Sequence, residues 1–285
     1  MKKKQLFYCK FISNYGYFFE DALILKEYES SFQKIIIYKT DRFGKIMNID
    51  GFNNHSEEDS YIYDEIITHI PLCAHPKPNN ILVIGGGSCT TNREILKHKN
   101  VKKIVMVDID ESVIKLHKEY FGTGVYEDPR LEIKINDAAE FVKKCSDKFD
   151  IIINDCTDPP GQDYNNPASN TLFSIDFYQN CFNCLEKDGI YVMQSDGACN
   201  EYRHFMKEHK NNLNKIFPIA KNYTALIPSL YPGPSAFTIA SKKYDPSIPT
   251  RSINFKTKYY SHDIHKSAFV LPPDLKHYIS DTKNE

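Results

Sequence analysis

Asn80-Ile81-Leu82-Val83-Ile84-Gly85-Gly86-Gly87-Ser88 is the stretch that decides the fold of this chain. Its unbroken apolar run, with no polar alternation, marks a strand buried on both faces, as in a parallel sheet. The glycines that follow let the backbone turn sharply and come close to a ligand before a helix starts. Toward the C-terminus further strand-like runs stand at 103–107, 131–135, 150–153 and 189–193, with helical stretches such as 113–120 between them. Strand, crossover and strand repeated this often predict an α/β fold with a Rossmann-like, doubly wound sheet.

Toward the N-terminus the character changes. Runs at 22–25, 34–38 and 45–49 are short and β-rich, separated by polar and Gly-containing breaks, and predict a small antiparallel sheet. Ser56-Glu57-Glu58-Asp59 carries a helix-start signature, so a helix is expected from there to about Cys73, closed by Pro76 and Pro78. Two units follow from this: an N-terminal β-hairpin domain over 1–55 and a Rossmann-like catalytic domain over 56–285. The stretch beyond about 244 reads as less regular.

The totals exclude several classes of function. With 285 residues, 41% hydrophobic and 26% charged, the chain can bury a full core. A formal charge of −1 provides no basic field for nucleic acid. No apolar run approaches a membrane span, and the N-terminus lacks the apolar core of a secretion signal, so the cytoplasm is expected. The 8 cysteines are scattered. Cys181 and Cys184 form a C-x-x-C without a second pair at metal-site spacing, so no metal is expected and a half-buried helix face explains them.

The acids carry the functional signal. Asp108 stands about 20 residues beyond the glycines at the end of the second strand, where a carboxylate can accept both ribose hydroxyls. Asp137 ends the third strand, beside Ala138, and can receive an adenine amino group. Asp155 and Asp158 follow the fourth. A single such acid is explained by helix capping; several at successive strand ends converge on one crevice and indicate a nucleoside site. The loop is not G-x-G-x-x-G, because Cys89 and Thr90 stand where the last glycine would be, which favours a methionine-type sulfonium over a dinucleotide.

These residues, with Asp155-Cys156-Thr157-Asp158-Pro159, the stretch 51–75 and the tail Tyr259-Tyr260-Ser261-His262-Asp263, resemble the spermidine synthases, the polyamine aminopropyltransferases, along nearly the whole chain. The resemblance implies transfer of an aminopropyl group from decarboxylated S-adenosylmethionine to an amine, with release of methylthioadenosine. It implies Asp155 as the carboxylate that holds and deprotonates the attacking nitrogen, with Tyr63 beside it. Gln33, Gly85, Gly87, Ser88, Asp108, Ile109, Asp137 and Ala138 would contact the donor, and Asp158, Gln194 and Tyr231 the acceptor. A homodimer is expected on the same ground.

Four departures from the family pattern surround the transferred chain. Ser88 replaces the acid of G-G-G-D-G-G, which balances the donor's ammonium. Asp64 is one candidate replacement; alternatively Ser88, Thr90 and Thr91 would receive the carboxylate of intact S-adenosylmethionine, making the transferred group 3-amino-3-carboxypropyl. The loop 161–173 is stretched, the P-T-Y segment reads Pro228-Ser229-Leu230, and Asp196-Gly197 sit beside an apparent insertion after Gln194. These predict an acceptor other than plain putrescine, whether another small molecule or a modified peptide, as with the enzymes that add an aminopropyl group to microcin C. The rival readings are an authentic spermidine synthase, a methyltransferase on the same sheet, and a non-catalytic nucleoside-binding partner subunit.

Overall fold

The computed structural model describes residues 3–12, 15–122, 125–156, 167–198, 202–230 and 232–280. Asp158, Tyr231 and positions 161–166 of the stretched loop lie outside the described residues.

An antiparallel sheet forms first, its strands adjacent in chain order: β1 (Gln5–Ile12), β2 (Tyr15–Glu29), β3 (Lys34–Thr40), β4 (Gly44–Ile49) and β5 (Phe52–Ser56). Asp50 and Gly51 link β4 to β5 with φ of 52° and 95°, the paired left-handed residues that a tight hairpin demands. Ile35, Ile37 and Met47 on one face pack against Val113 and Leu116 of the second unit. The sequence reading missed β1 and β5 and saw only the centre of the 15-residue β2.

The helix after β5, α1 (Ser60–Ala74), begins later than the sequence suggests. Ser56 pairs with Ile46 as the last residue of β5, and its hydroxyl bonds Asp59 Oδ1 at 2.5 Å. Glu57 turns back to accept from the Lys45 amide at 2.7 Å. The acid read as a helix-start charge serves the hairpin instead.

The remaining elements alternate: β6 (Asn80–Gly85), α2 (Thr90–Leu96), β7 (Lys103–Asp108), α3 (Glu111–Tyr120), β8 (Leu131–Ile135), α4 (Ala138–Lys144), β9 (Phe149–Asp155), α5 (Pro167–Leu172), α6 (Ile175–Cys184), β10 (Leu185–Gly197), α7 (Arg203–Asn214), β11 (Ile219–Leu226), β12 (Pro234–Ser241), α8 (His262–Ala268) and α9 (Pro273–Ser280). The sheet order is β8-β7-β6-β9-β10-β12-β11; β12 runs antiparallel to both its neighbours and the other pairs from β8 to β10 are parallel. Alternate strand residues feed two cores. Ile81, Val83, Ile104, Met106, Ile151 and Ile153 join the core that includes α1 and α2, while Leu82, Ile84, Val105, Val107 and Ile152 join the one that includes α4 and α6. This double burial, worth about 2 kcal/mol for each such side chain, is why these strands read as continuous apolar runs. Cys181 and Cys184 are buried on α6. Among the described residues no helix is long and apolar enough to cross a membrane, and no group of three or more His, Cys, Asp or Glu side chains is placed to hold a metal.

The chain runs β6-β7-β8 to one edge and then returns to lay β9 on the other side of β6. That reversal opens a crevice at the carboxyl ends of β6 and β9, where Gly85 pairs with Asp155.

Candidate active site

A cavity of about 500 Å³ fills this crevice. At one end the glycine turn shapes it. Gly85 and Gly86 have φ of 75° and 73°. A Cβ on Gly85 would lie 2.3 Å from the Asp155 carbonyl oxygen, and one on Gly87 would lie 2.9 Å from Asp108 Oδ2. The bare backbone thus lets both strand-end acids close on the loop. Cys89 takes φ of 57° before α2, a left-handed position that the glycine expected there would adopt without strain.

Asp108 accepts from the Asp110 amide at 2.9 Å, and burial pushes its carboxyl up to about 6. Asp137 lines the cavity beside Ala138 and also caps α4, with Oδ1 accepting from the Ala139 and Glu140 amides at 2.7 and 3.3 Å. Capping and ligand binding are therefore not alternatives for this acid, since one carboxylate oxygen does the capping. Gln33 lines the wall with Nε2 donating to Asp110 Oδ2 at 3.0 Å, and Ile109 is 39% exposed on the same wall.

At the centre, side chains from separate elements converge. Tyr63 donates to Asp155 Oδ1 and Thr91 to Asp155 Oδ2, each at 2.7 Å. Burial lifts the Asp155 carboxyl to about 6 against the lowering effect of these two donors, and the Tyr63 phenol is held well above its usual range. Beside it Asp64 is almost fully buried. Thr90 Oγ1 donates to Asp64 Oδ1 at 2.8 Å, Ser88 Oγ lies 2.9 Å from Thr90 Oγ1, and Arg93 Nη2 stands 3.4 Å from Asp64 Oδ2. Burial nonetheless raises Asp64 to about 8.

The far end is walled by Gln194, Asp196, Leu230, Ser235 and Ala236. Asp196 has φ of 63°, and its amide donates to Gln194 Oε1 at 2.8 Å. Leu230, where the family pattern has tyrosine, lines this end. The structure brings together all the expected site residues that fall within the described residues. Sequence reasoning did not assign Thr91 to Asp155, Arg93 to Asp64, or His55 and Ser235 to the wall. Asp196, expected beside an apparent insertion after Gln194, lines the wall together with it.

Comparison with known proteins agrees with this geometry. Residues 60–252 match the spermine/spermidine synthase domain, and residues 22–57 the spermidine synthase tetramerisation domain. The polyamine aminopropyltransferase of Bacillus subtilis (strain 168) is 39% identical over 263 residues, covering 91% of this chain and 93% of that protein. The one from Pectobacterium carotovorum subsp. carotovorum (strain PC1) is 35% identical over 290 residues, covering 96% and 97%. A solved spermidine synthase in complex with the transition-state analogue AdoDATO superposes with a TM-score of 0.87 at 30% identity, over 96% of this chain and 94% of that one. The spermidine synthase from Thermotoga maritima gives 0.87 at 29% identity, over 98% and 96%. With its fold, its crevice acids and these relatives in agreement, the chain belongs to the spermine/spermidine synthase family of transferases.

Proposed function

We propose that the chain transfers a 3-aminopropyl group from decarboxylated S-adenosylmethionine to a primary amine and releases methylthioadenosine. The observation that carries this is the pair of carboxylates, Asp64 and Asp155, beside the glycine loop. The hydroxyls that a donor carboxylate would need are already in use: Thr90 donates to Asp64 and Thr91 to Asp155. A further carboxylate about 4 Å from a charged one would be disfavoured by roughly 4 kcal/mol at an effective dielectric of about 20. An ammonium is favoured by the same arithmetic, so Asp64 supplies the counter-charge absent at Ser88. This sets aside transfer of the 3-amino-3-carboxypropyl group from intact S-adenosylmethionine.

Asp108 would accept from the ribose hydroxyls, and Asp137, Ile109, Ala138 and Gln33 would bound the adenine side, with Gly85, Gly87 and Ser88 against the donor. The sulfonium is already a good leaving group, so the protein's task is to orient the amine and take its proton. Tyr63 keeps its proton and steadies Asp155. Lifting Asp155 to about 6 brings it nearer an alkyl ammonium in basicity, by on the order of 3 kcal/mol. Gln194 and Asp196, with Asp158 and Tyr231 as further acceptor contacts, suit a small amine with a second cationic end. The names of the relatives support a polyamine and offer nothing for a modified peptide. We further propose that residues 1–55 form a separate unit through which copies associate, and that the enzyme works in the cytoplasm.

Incubation of purified protein with each donor form and a panel of diamines, with methylthioadenosine as readout, tests this reading. Turnover is expected with decarboxylated donor and a short diamine. Release from intact S-adenosylmethionine, with none from the decarboxylated form, would overturn it.

A further inference from the structure

We propose that Arg93 is a positioning residue for the donor: it reaches from α2 to Asp64 on α1 and sets a positive charge against that carboxylate, so that the carboxylate can give up its proton when the donor's ammonium arrives. The proposal rests on the reading of Asp64 as the donor's counter-charge and adds a residue that touches neither donor nor acceptor.

The geometry is specific. Thr90 and Arg93 lie three residues apart on α2 and so share one face of it. From that face Thr90 takes Asp64 Oδ1 at 2.8 Å and Arg93 Nη2 faces Oδ2 at 3.4 Å. Arg93 is itself steadied by Glu94, whose Oε1 lies 3.3 Å from Nε. Glu94 is further engaged by Lys97, and by His69 of α1 at 3.3 Å. The other charged groups bearing on Asp64 are Glu94 of α2 and Asp155 of β9, and both oppose its ionisation; Tyr63, its neighbour on α1, is uncharged. Among the described residues acting on Asp64, Arg93 supplies the positive charge.

A consequence follows for binding. Asp64 sits at about 8 even with Arg93 present, so the ligand-free protein holds a proton there at neutral pH. The arriving ammonium displaces that proton to solvent. Donor affinity must therefore rise with pH up to about 8 and level off above it, and loss of Arg93 must move the rise to higher pH.

The test is the donor KM of wild type and Arg93→Gln from about pH 6.5 to about 9.5, with proton release measured calorimetrically in buffers of different ionisation enthalpy. At about pH 7 the variant is expected to raise donor KM about tenfold, with kcat at saturating donor little changed, and the gap should close at high pH. Arg93→Lys, whose shorter cation fills the site less well, should give a smaller shift of the same sign, and it serves if Arg93→Gln does not fold. An unchanged pH profile in the folded variant, while Asp64→Asn weakens donor binding, overturns the role of Arg93 and leaves that of Asp64 standing. Donor binding indifferent to Asp64→Asn overturns both.

Discussion

The two ends of the cavity are built in different ways. At the proposed adenosine end the positions come from the main chain: Gly85 and Asp108 end β6 and β7, Asp137 comes two residues after β8, and the absence of a Cβ at Gly87 lets Asp108 close on the loop. At the transferring end they come from side chains on separate elements. Tyr63 meets Asp155 across 92 residues of sequence, and Thr91 meets the same acid across 64. A main-chain site is tied to the fold and leaves little room for change. A side-chain site can move a charge from one element to another. In the reading proposed above, the acid that the family pattern has at Ser88 finds its counterpart in Asp64 on α1, linked to Ser88 through Thr90.

That contrast can be broken or sharpened by substitution. The largest effect is expected from Asp155→Asn, which should lower kcat by about 10³-fold while donor binding persists. Single-turnover release of methylthioadenosine alongside calorimetric titration would separate the two quantities, and a collapse of binding instead would erase the distinction between the ends. In the wild type, activity must fall as pH drops through about 6, because Asp155 and Asp108 then take up protons that the reaction and the ribose need them to lack. A smaller, complementary effect is expected from Asp108→Asn: donor affinity should fall about 10- to 100-fold, with kcat at saturating donor kept within a few fold. Smallest is the effect of Asp64→Asn on the ligand-free protein. The folded value of Asp64 lies above that of an unfolded aspartate, so this group contributes instability that is greatest above about pH 8 and disappears as pH falls toward about 4. The variant should therefore melt a few degrees higher near pH 8, and the gain should vanish in acid. An unchanged Tm at pH 8 would mean that Asp64 bears no such strain.

The same contrast governs how much could be read in advance. Asp108 and Asp155 were legible because each ends an apolar run buried on both faces, and Asp137 because it comes just after the alternating run 131–135. The antiparallel edge of β11 and β12 went unread: nothing in residues 219–226 or 234–241 announces direction, which is set by tertiary pairing. The start of α1 was placed at Ser56 because a local rule cannot see Lys45 drawing Glu57 into the hairpin. Arg93 looks like an ordinary helix arginine until α1 is laid beside it.

Three hydrogen bonds converge on Ser229 and Leu230, two of them from the strand ladder. Tyr17 of β2 donates to the Leu230 carbonyl at 2.8 Å, Asn53 of β5 donates to the Ser229 carbonyl at 3.0 Å, and Asp59 takes the Ser229 amide at 2.9 Å. The strand ladder is thereby latched to the segment that carries Leu230, a wall of the acceptor end. If copies associate through this ladder as proposed above, their docking bears on a wall of the proposed acceptor end, and trimming the first fifty residues would loosen that wall along with the subunit contacts.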